Sequence, residues 1–564
     1  MNNTARNVFI GGAWPYANSS LHLGHAAALL PGDVIARYHR QNGDNVLYVS
    51  GSDCFGTPIS LSAQAKGVEP RAIADAYHTE FKETFSSLGF SYDLYTRTDT
   101  LNHREVVQEL FLDLFAKGLI YPKTADALYS PHLARFLPDR YVVGGCPKCG
   151  AHARGDQCES CGTPLDALEL VDPKINPQSL AHAETLSDED RRLEVRPSEQ
   201  FYLRLSAFEG YLKEWTAKTA GAWRTNARTF TESFLRGGLY DRAITRDTDY
   251  GVPIPIEGYE DKRIYVWFEA VSGYLSASKL WAKQRGDKGL WKAWWESGDA
   301  IHYYVHGKDN IPFHTVLWPA IIEGAGSLHA PDVIVSSEYL SVDGAKFSKS
   351  RGNAAALDAL IAQFGQDALR YYLIANGPEA SDSNFSLSEF EAKVNGELIG
   401  TFGNLVHRTL SIAGKHFRGG LWQPEALDEE SQELLDDARA AFPKIGTLIE
   451  AGKLRAAWKE ILELAAQGNR YIDAKAPWKK VKVPELHHEA EASLAVLINL
   501  IHALARLIAP FLPNSATHIC ASLGVNSECE EWAFPEVRTK HRVRTDITPL
   551  YQRIELADTG EAVL

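Results

Sequence analysis

Between Asn7 and Val49 the chain runs through an apolar stretch, a turn, a helical stretch and a second apolar stretch, an order that few folds accommodate. Val8 to Ile10 reads as a buried strand, the Gly/Pro/Asn-rich segment through Asn18 as a turn, and Asn45 to Val49 as another buried strand. Strand, helix and strand at this spacing make a βαβ unit, which requires a parallel sheet.

At 564 residues the chain exceeds what one hydrophobic core organises, so several domains are expected. Residues 101 to 118 carry apolar groups at helical period, Tyr121 to Pro177 is punctuated by Pro, Gly and Cys, and aromatic-rich αβ texture returns near Leu235. Ile264 to Phe268 and Ile301 to Val305 are strand candidates, and long amphipathic helices follow Ser386. The fold class is α/β: a Rossmann-type parallel-sheet domain, interrupted by an insertion and followed by a C-terminal α-helical bundle. The expected division is 1–120 and 236–335 for the two halves of the sheet domain, 121–235 for the insertion, 336–390 for a basic-loop region and 391–564 for the bundle.

A net charge of −14 excludes an overall basic nucleic-acid coat, though not a local phosphate-binding patch. The N-terminal segment lacks a signal-peptide h-region, and Leu494 to Leu512 is interrupted by Asn499, His502 and Arg506, so it reads as a core helix. A cytoplasmic location is expected. Of seven cysteines, four form Cys146-x2-Cys149-x8-Cys158-x2-Cys161, a tetrahedral zinc signature with no open position and hence a structural role. The remaining cysteines show no pairing, as suits a reducing compartment.

Two short strings carry the chemistry. His22-Leu-Gly-His25 follows the first strand and its turn, with Ser19 or Ser20 as a helix cap, so helix N-terminal amides face a phosphate and Gly24 permits close approach. Lys346-Phe-Ser-Lys349-Ser lies in a glycine-flanked loop whose ammonium groups suit a departing pyrophosphate. Either string alone fits a surface histidine or a solvated charge run; together they point to nucleotide chemistry.

These strings, with Ala13-Trp-Pro-Tyr-Ala-Asn18, Gly51-Ser-Asp53, Gly56-Thr-Pro58, Ile264-Tyr-Val-Trp-Phe-Glu-Ala270, Gly273-Tyr274 and Gly307-Lys-Asp-Asn-Ile-Pro-Phe-His314, resemble the class I aminoacyl-tRNA synthetases, and among them the methionine-specific branch. The resemblance implies a ligase that activates methionine with ATP and transfers it to the 3′-terminal adenosine of tRNA(Met). It implies that Asp53 takes the methionine ammonium, while Ala13, Trp14, Tyr16, Trp267, Ala270, Tyr274 and His314 line the side-chain pocket. His22, Gly24, His25, Lys308, Asp309 and Lys349 would bind ATP, with His22, His25, Lys346, Lys349 and Arg246 catalytic. Mg²⁺ would accompany ATP, and one structural Zn²⁺ per chain would sit on the cysteine knuckle. The 336–390 region would contact the tRNA stem. The bundle would read the anticodon through Asn404, Arg408 and Trp478, the last flanked by Lys475, Lys479 and Lys480. Apart from the resemblance, a monomer is expected because no further module is apparent after the helices, and no membrane association because Leu494 to Leu512 reads as a core helix.

Trp14, Phe55 and Val271 depart from the usual smaller apolar residue, histidine and proline of related sequences, which bears on the pocket's shape. The alternatives are a paralogous class I synthetase with altered amino-acid or inhibitor specificity, an HxGH nucleotidyltransferase and a non-catalytic RNA-binding paralogue. An insertion, a knuckle and a bundle exceed what a nucleotidyltransferase needs, and a non-catalytic paralogue would be expected to lose HxGH or the loop lysines.

Overall fold

The structure, a computed structural model, describes residues 5–137, 141–155, 158, 160, 165–177, 186–342, 357–525 and 531–556. Its central sheet contains strands β1 (Asn7–Gly12), β2 (Asn45–Ser52), β3 (Leu94–Arg97), β4 (Ile301–Gly307) and β5 (Val333–Ser337). They lie in the order β5-β4-β1-β2-β3 and every pairing is parallel. Alternate residues serve opposite faces, as strand geometry requires. Val8, Ile10, Tyr303 and Val305 join a core shared with helix α1 (Leu23–Gln41) and the C-terminal bundle, whereas Phe9 and Tyr304 join the opposite core. Both faces are therefore covered, the usual condition for an all-parallel sheet.

The chain leaves the sheet domain on strand Ile120–Ser130 and returns on Glu194–Leu203, a long antiparallel pair in register from Ile120 with Leu203 to Tyr129 with Glu194. A smaller sheet of Val142–Gly145, His152–Arg154 and Val171–Ile175 lies between them in sequence. Within 121–235, helices Glu209–Thr219 and Thr225–Arg236 belong to the core beneath the main sheet, and Arg224 N–H donates to the β5 carbonyl of Ile334 at 3.0 Å.

Ile264 to Phe268 is not a strand. The strand Lys262–Ile264 ends at the first residue of that run, Tyr265 is the extended cap, and Val266 opens helix α2 (Val266–Gln284). A short aromatic and β-branched run fits a buried strand or a buried helix equally, and packing on the sheet decides here for the helix. Cys520 is disulfide-bonded, contrary to the expectation that the cysteines beyond the cluster stay unpaired.

The C-terminal part comprises helices Asn404–His416, Glu429–Glu450, Leu454–Lys475, His487–Ile508 and Pro513–Leu523, with a small antiparallel pair of Leu421–Trp422 and Lys540–His541. The segment 484–508 is long and apolar enough to cross a membrane, but 89% of its most apolar window is buried within the protein, as in a core helix.

Candidate active site

The order β5-β4-β1-β2-β3 places β2 and β4 on either side of β1, so successive crossovers diverge there and open a crevice beyond the carboxyl ends of β1 and β4. Ala13 N–H donates to the Val305 carbonyl at 2.9 Å, extending the β1–β4 ladder into that crevice. On the other side Asp53 N–H donates to Pro15 O at 2.9 Å and Ala17 N–H to Asp53 O at 2.8 Å. The turn from Ala13 to Ala17 is thereby pinned between β2 and β4, carrying Trp14 and Tyr16 with it.

The first histidine of the HLGH string caps α1 itself. His22 Nδ1 accepts from Gly24 N–H at 3.1 Å, and His22 N–H donates to His25 Nδ1 at 3.2 Å. Ser19 and Ser20 are not the cap; extended backbone at His22, φ −126° and ψ 171°, gives the imidazole the reach that a serine would have at that position. The two rings lie with centroids 3.9 Å apart at the positive end of the helix dipole, where an anion is favoured.

Asp53 is 3% exposed, and its Oδ1 accepts from Phe55 N–H at 3.1 Å. Burial, and then the neighbouring Glu269 carboxyl, push its pKa well above the ordinary carboxylate range. A cation brought to such a group relieves both effects. Tyr274 and His314 are joined at 2.7 Å, and His314 Nδ1–H donates to Asn310 O at 2.8 Å. His314 Nε2 is therefore an acceptor for the Tyr274 hydroxyl, and burial pulls the imidazole down to about 4, so it stays neutral. It sits in the π-helical turn Phe313–Leu317 and stacks on His306 at 4.2 Å.

Trp14 fits because two neighbours are glycine. A Cβ on Gly51 would lie 2.1 Å from the indole, and one on Gly273 would lie 2.8 Å from it. The ring meets Tyr274 edge-on at 6.2 Å, and its buried Nε1 has no partner among the described residues. Val271 is buried on α2, and Phe55 packs on Tyr250 at 5.2 Å. Trp267 stands half-buried against Phe313 at 4.3 Å, and Ala270 is half-buried on the same helix.

A cavity of about 760 Å³ adjoins the crevice, lined among others by Tyr16, Phe55, Tyr141, Arg246, Tyr265 and Trp267. Arg246 lies over the Tyr265 ring at 4.0 Å and donates to the carbonyls of Ala243 and Thr245. Lys308 is held by carboxylates, Glu338 at 2.8 Å and Asp382 at 2.7 Å, and Asp309 accepts from the Tyr339 hydroxyl. Lys346 and Lys349 lie outside the described residues.

In the insertion, the thiols of Cys146, Cys149 and Cys158 lie within 4.8 Å of one another. Cys146 N–H donates to Ala151 O at 2.8 Å and Gly150 N–H to Cys146 O at 2.9 Å, with Gly150 at φ +75°, so the turn folds back upon its own sulfur atoms. This soft, convergent donor set fits zinc; Cys161 lies outside the described residues. In the bundle, Arg408 lies over Trp478 at 5.0 Å and pairs with Asp473 at 2.8 Å, while Asn404 is exposed one turn earlier on its helix. Lys475 pairs with Asp428 and Glu430, and Lys480 with Glu489, so these lysines are largely neutralised.

Residues 8–410 match a family described as tRNA synthetases class I (M), and residues 423–545 match the anticodon binding domain of methionyl tRNA ligase. A methionine–tRNA ligase of Bacillus anthracis is 44% identical over 98% of this chain and 97% of its own length. One of Streptococcus pneumoniae is 43% identical over 99% of this chain and 98% of its own. The solved structure of Mycobacterium tuberculosis methionyl-tRNA synthetase in complex with methionyl-adenylate superposes with a TM-score of 0.81 at 26% identity, covering 97% of this chain and all of that one.

Proposed function

The chain belongs to the methionyl class I tRNA synthetases, and we propose that it activates methionine with ATP and transfers it to tRNA(Met) through the residues assembled at the β1–β4 crevice. The observation that carries this reading is that backbone hydrogen bonds tie buried Asp53 to the Pro15–Ala17 turn, and Ala13 to β4, at the strand ends where His22 caps α1.

Asp53 receives the methionine ammonium. Trp14, Tyr16, Trp267, Ala270, Tyr274 and His314, with Ala13 at the mouth, surround the thioether with aromatic and neutral polar groups suited to a soft, flexible chain. The methionine carboxylate attacks the α-phosphorus of ATP, the α–β phosphoanhydride breaks, and pyrophosphate leaves. No protein nucleophile is required, so catalysis consists of positioning and charge stabilisation. His22, Gly24 and His25 hold ATP at the amino end of α1, Lys346 and Lys349 meet the departing pyrophosphate, and Arg246 approaches from the cavity side. Lys308 and Asp309 act at the nucleotide side once ATP competes for their present partners. Mg²⁺ bound with ATP would supply charge neutralisation at the phosphates. A ribose hydroxyl of the tRNA's terminal adenosine, the 2′-OH by class I analogy, then attacks the mixed anhydride and releases AMP.

Cys146, Cys149 and Cys158, with Cys161 as fourth ligand, hold a structural zinc ion. Asn404, Arg408 and Trp478 contact the anticodon, Trp478 offering a stacking surface that Arg408 already braces. The chain works as a cytoplasmic monomer. A second reading, a paralogue with altered selectivity, rests on Trp14 filling the space that Gly51 and Gly273 leave. ATP–pyrophosphate exchange across the amino acids tests both: methionine-dependent exchange is expected, and exchange with no amino acid overturns activation.

A further inference from the structure

Three buried polar side chains beside the substrate crevice take no part in the chemistry above. Glu269 and Ser276 lie on α2, His103 lies on helix Leu101–Ala116, and none is more than 1% exposed. Ser276 Oγ lies 3.0 Å from the Gly273 carbonyl and 2.8 Å from His103 Nδ1, and His103 Nε2 lies 2.7 Å from Glu269 Oε2.

The directions of these bonds follow from counting protons. A carbonyl only accepts, so the single hydroxyl proton of Ser276 is given to Gly273 O. His103 Nδ1–H must then donate to Ser276 Oγ, which leaves Nε2 of a neutral imidazole as an acceptor. The proton in the remaining contact therefore sits on Glu269 Oε2. An imidazolium beside an ionised glutamate would hold the same number of protons. Burial disfavours that arrangement, since it pulls His103 down to about 3 and pushes Glu269 well above the carboxylate range, with Asp99 acting in the same direction on Glu269. The other charge that acts across this space is Asp53, while Asp99 is itself paired with Arg97.

We propose that Glu269 is a positioning residue, held as a neutral carboxylic acid by His103, so that the substrate ammonium, on binding, restores and pairs with the charge of Asp53 alone. Two ionised carboxylates would mismatch a singly charged amine, whereas one matches it. Glu269 Oε1, which has no partner among the described residues, remains a carbonyl acceptor. The proposal rests on Asp53 as the ammonium's partner.

Infrared spectroscopy of the full chain at neutral pH, with and without isotopically labelled glutamate, reads the proton directly. A protonated-acid C=O band is expected that shifts with the label, disappears in Glu269→Gln and moves in His103→Leu. Absence of a label-sensitive acid band, or its persistence unchanged in Glu269→Gln, overturns the proposal. Should the Gln variant fail to fold, a band unmoved in His103→Leu does the same. Asp53→Asn is expected to raise the KM for methionine more than tenfold. An unchanged KM with the Glu269 band intact would strike the Asp53 reading and leave the proton on Glu269.

Discussion

Asp33 and Arg370 form a pair at 2.7 Å in which both side chains are fully buried. Asp33 lies on α1, the helix that HLGH opens, and Arg370 lies on helix Gln366–Ala375. The same guanidinium donates to Phe511 O at 2.7 Å and Pro510 O at 3.1 Å, at the end of the bundle's most buried helix. One side chain thus fastens the nucleotide end of the sheet domain to the bundle.

Removing Arg370 strands a buried carboxylate. Arg370→Met should cost about 3 kcal/mol, the lower end for a broken buried pair, because Arg37 still reaches Asp33 at 2.8 Å. Burial raises the Asp33 pKa, but Arg370, Arg37 and Ser91 together outweigh it, so the folded value is lowered. The stabilisation is complete above the unfolded carboxylate range near pH 4 and is lost as pH falls through the folded value. Urea unfolding at pH 7 and in acid measures both; equal midpoints for wild type and Arg370→Met would refute the coupling.

Gly273→Ala would drive a methyl group into Trp14. Overpacking of this kind costs about 1–3 kcal/mol, and the indole's displacement should raise the methionine KM. Trp14→Ala in the same chain should relieve the clash, giving a coupling above about 0.5 kcal/mol in a double-mutant cycle. Additive effects would mean that the ring does not hold this position.

The buried histidines should make stability decline as pH falls below about 6.5. Burial pulls His103 and His302 to about 3 and His314 and His541 to about 4. Unfolded histidine titrates near pH 6.5, so below that pH the unfolded chain binds more protons than the folded one and stability falls with pH. The decline levels off only below the folded values. Unfolding midpoints that stay constant from pH 7 to 4.5 would contradict the neutral, buried assignment.

Cys158→Ser should lower bound zinc from one ion per chain and destabilise the insertion, as measured by metal analysis and limited proteolysis. Full metal content in that variant would remove Cys158 from the ligand set.

Trp478→Ala should leave methionine-dependent pyrophosphate exchange intact and weaken tRNA charging, by about 1–3 kcal/mol if one base stacks there. Lys349→Ala should instead impair exchange, slowing adenylate formation far more than it weakens methionine binding. Unchanged charging by the first variant, or equal losses in the second, would remove the assigned roles.

The strands at Val8–Ile10, Asn45–Val49 and Ile301–Val305 were legible because fully buried strands are short apolar runs bounded by turns. The same signal misdirected at Ile264–Phe268, where only packing separates strand from helix. The identities of Asp53, Tyr274 and His314 came from motif blocks. The buried side chains around them did not: His103 and Glu269 stand far apart in the sequence and meet through a buried contact, and His306 meets His314 by stacking. Charge was the least legible property. Lys475 and Lys480 look like a basic patch until Asp428, Glu430 and Glu489 close on them.

The pairing of Val8 with Ile301 has a consequence in time. A ribosome adding about 5–20 residues per second needs about 15–60 s between making β1 and making β4. Throughout that interval β1 has an open edge, and HLGH faces an unfinished crevice. The residues of the ATP end are therefore made well before β4 can pair with β1, and the sheet is completed only after the whole insertion has emerged.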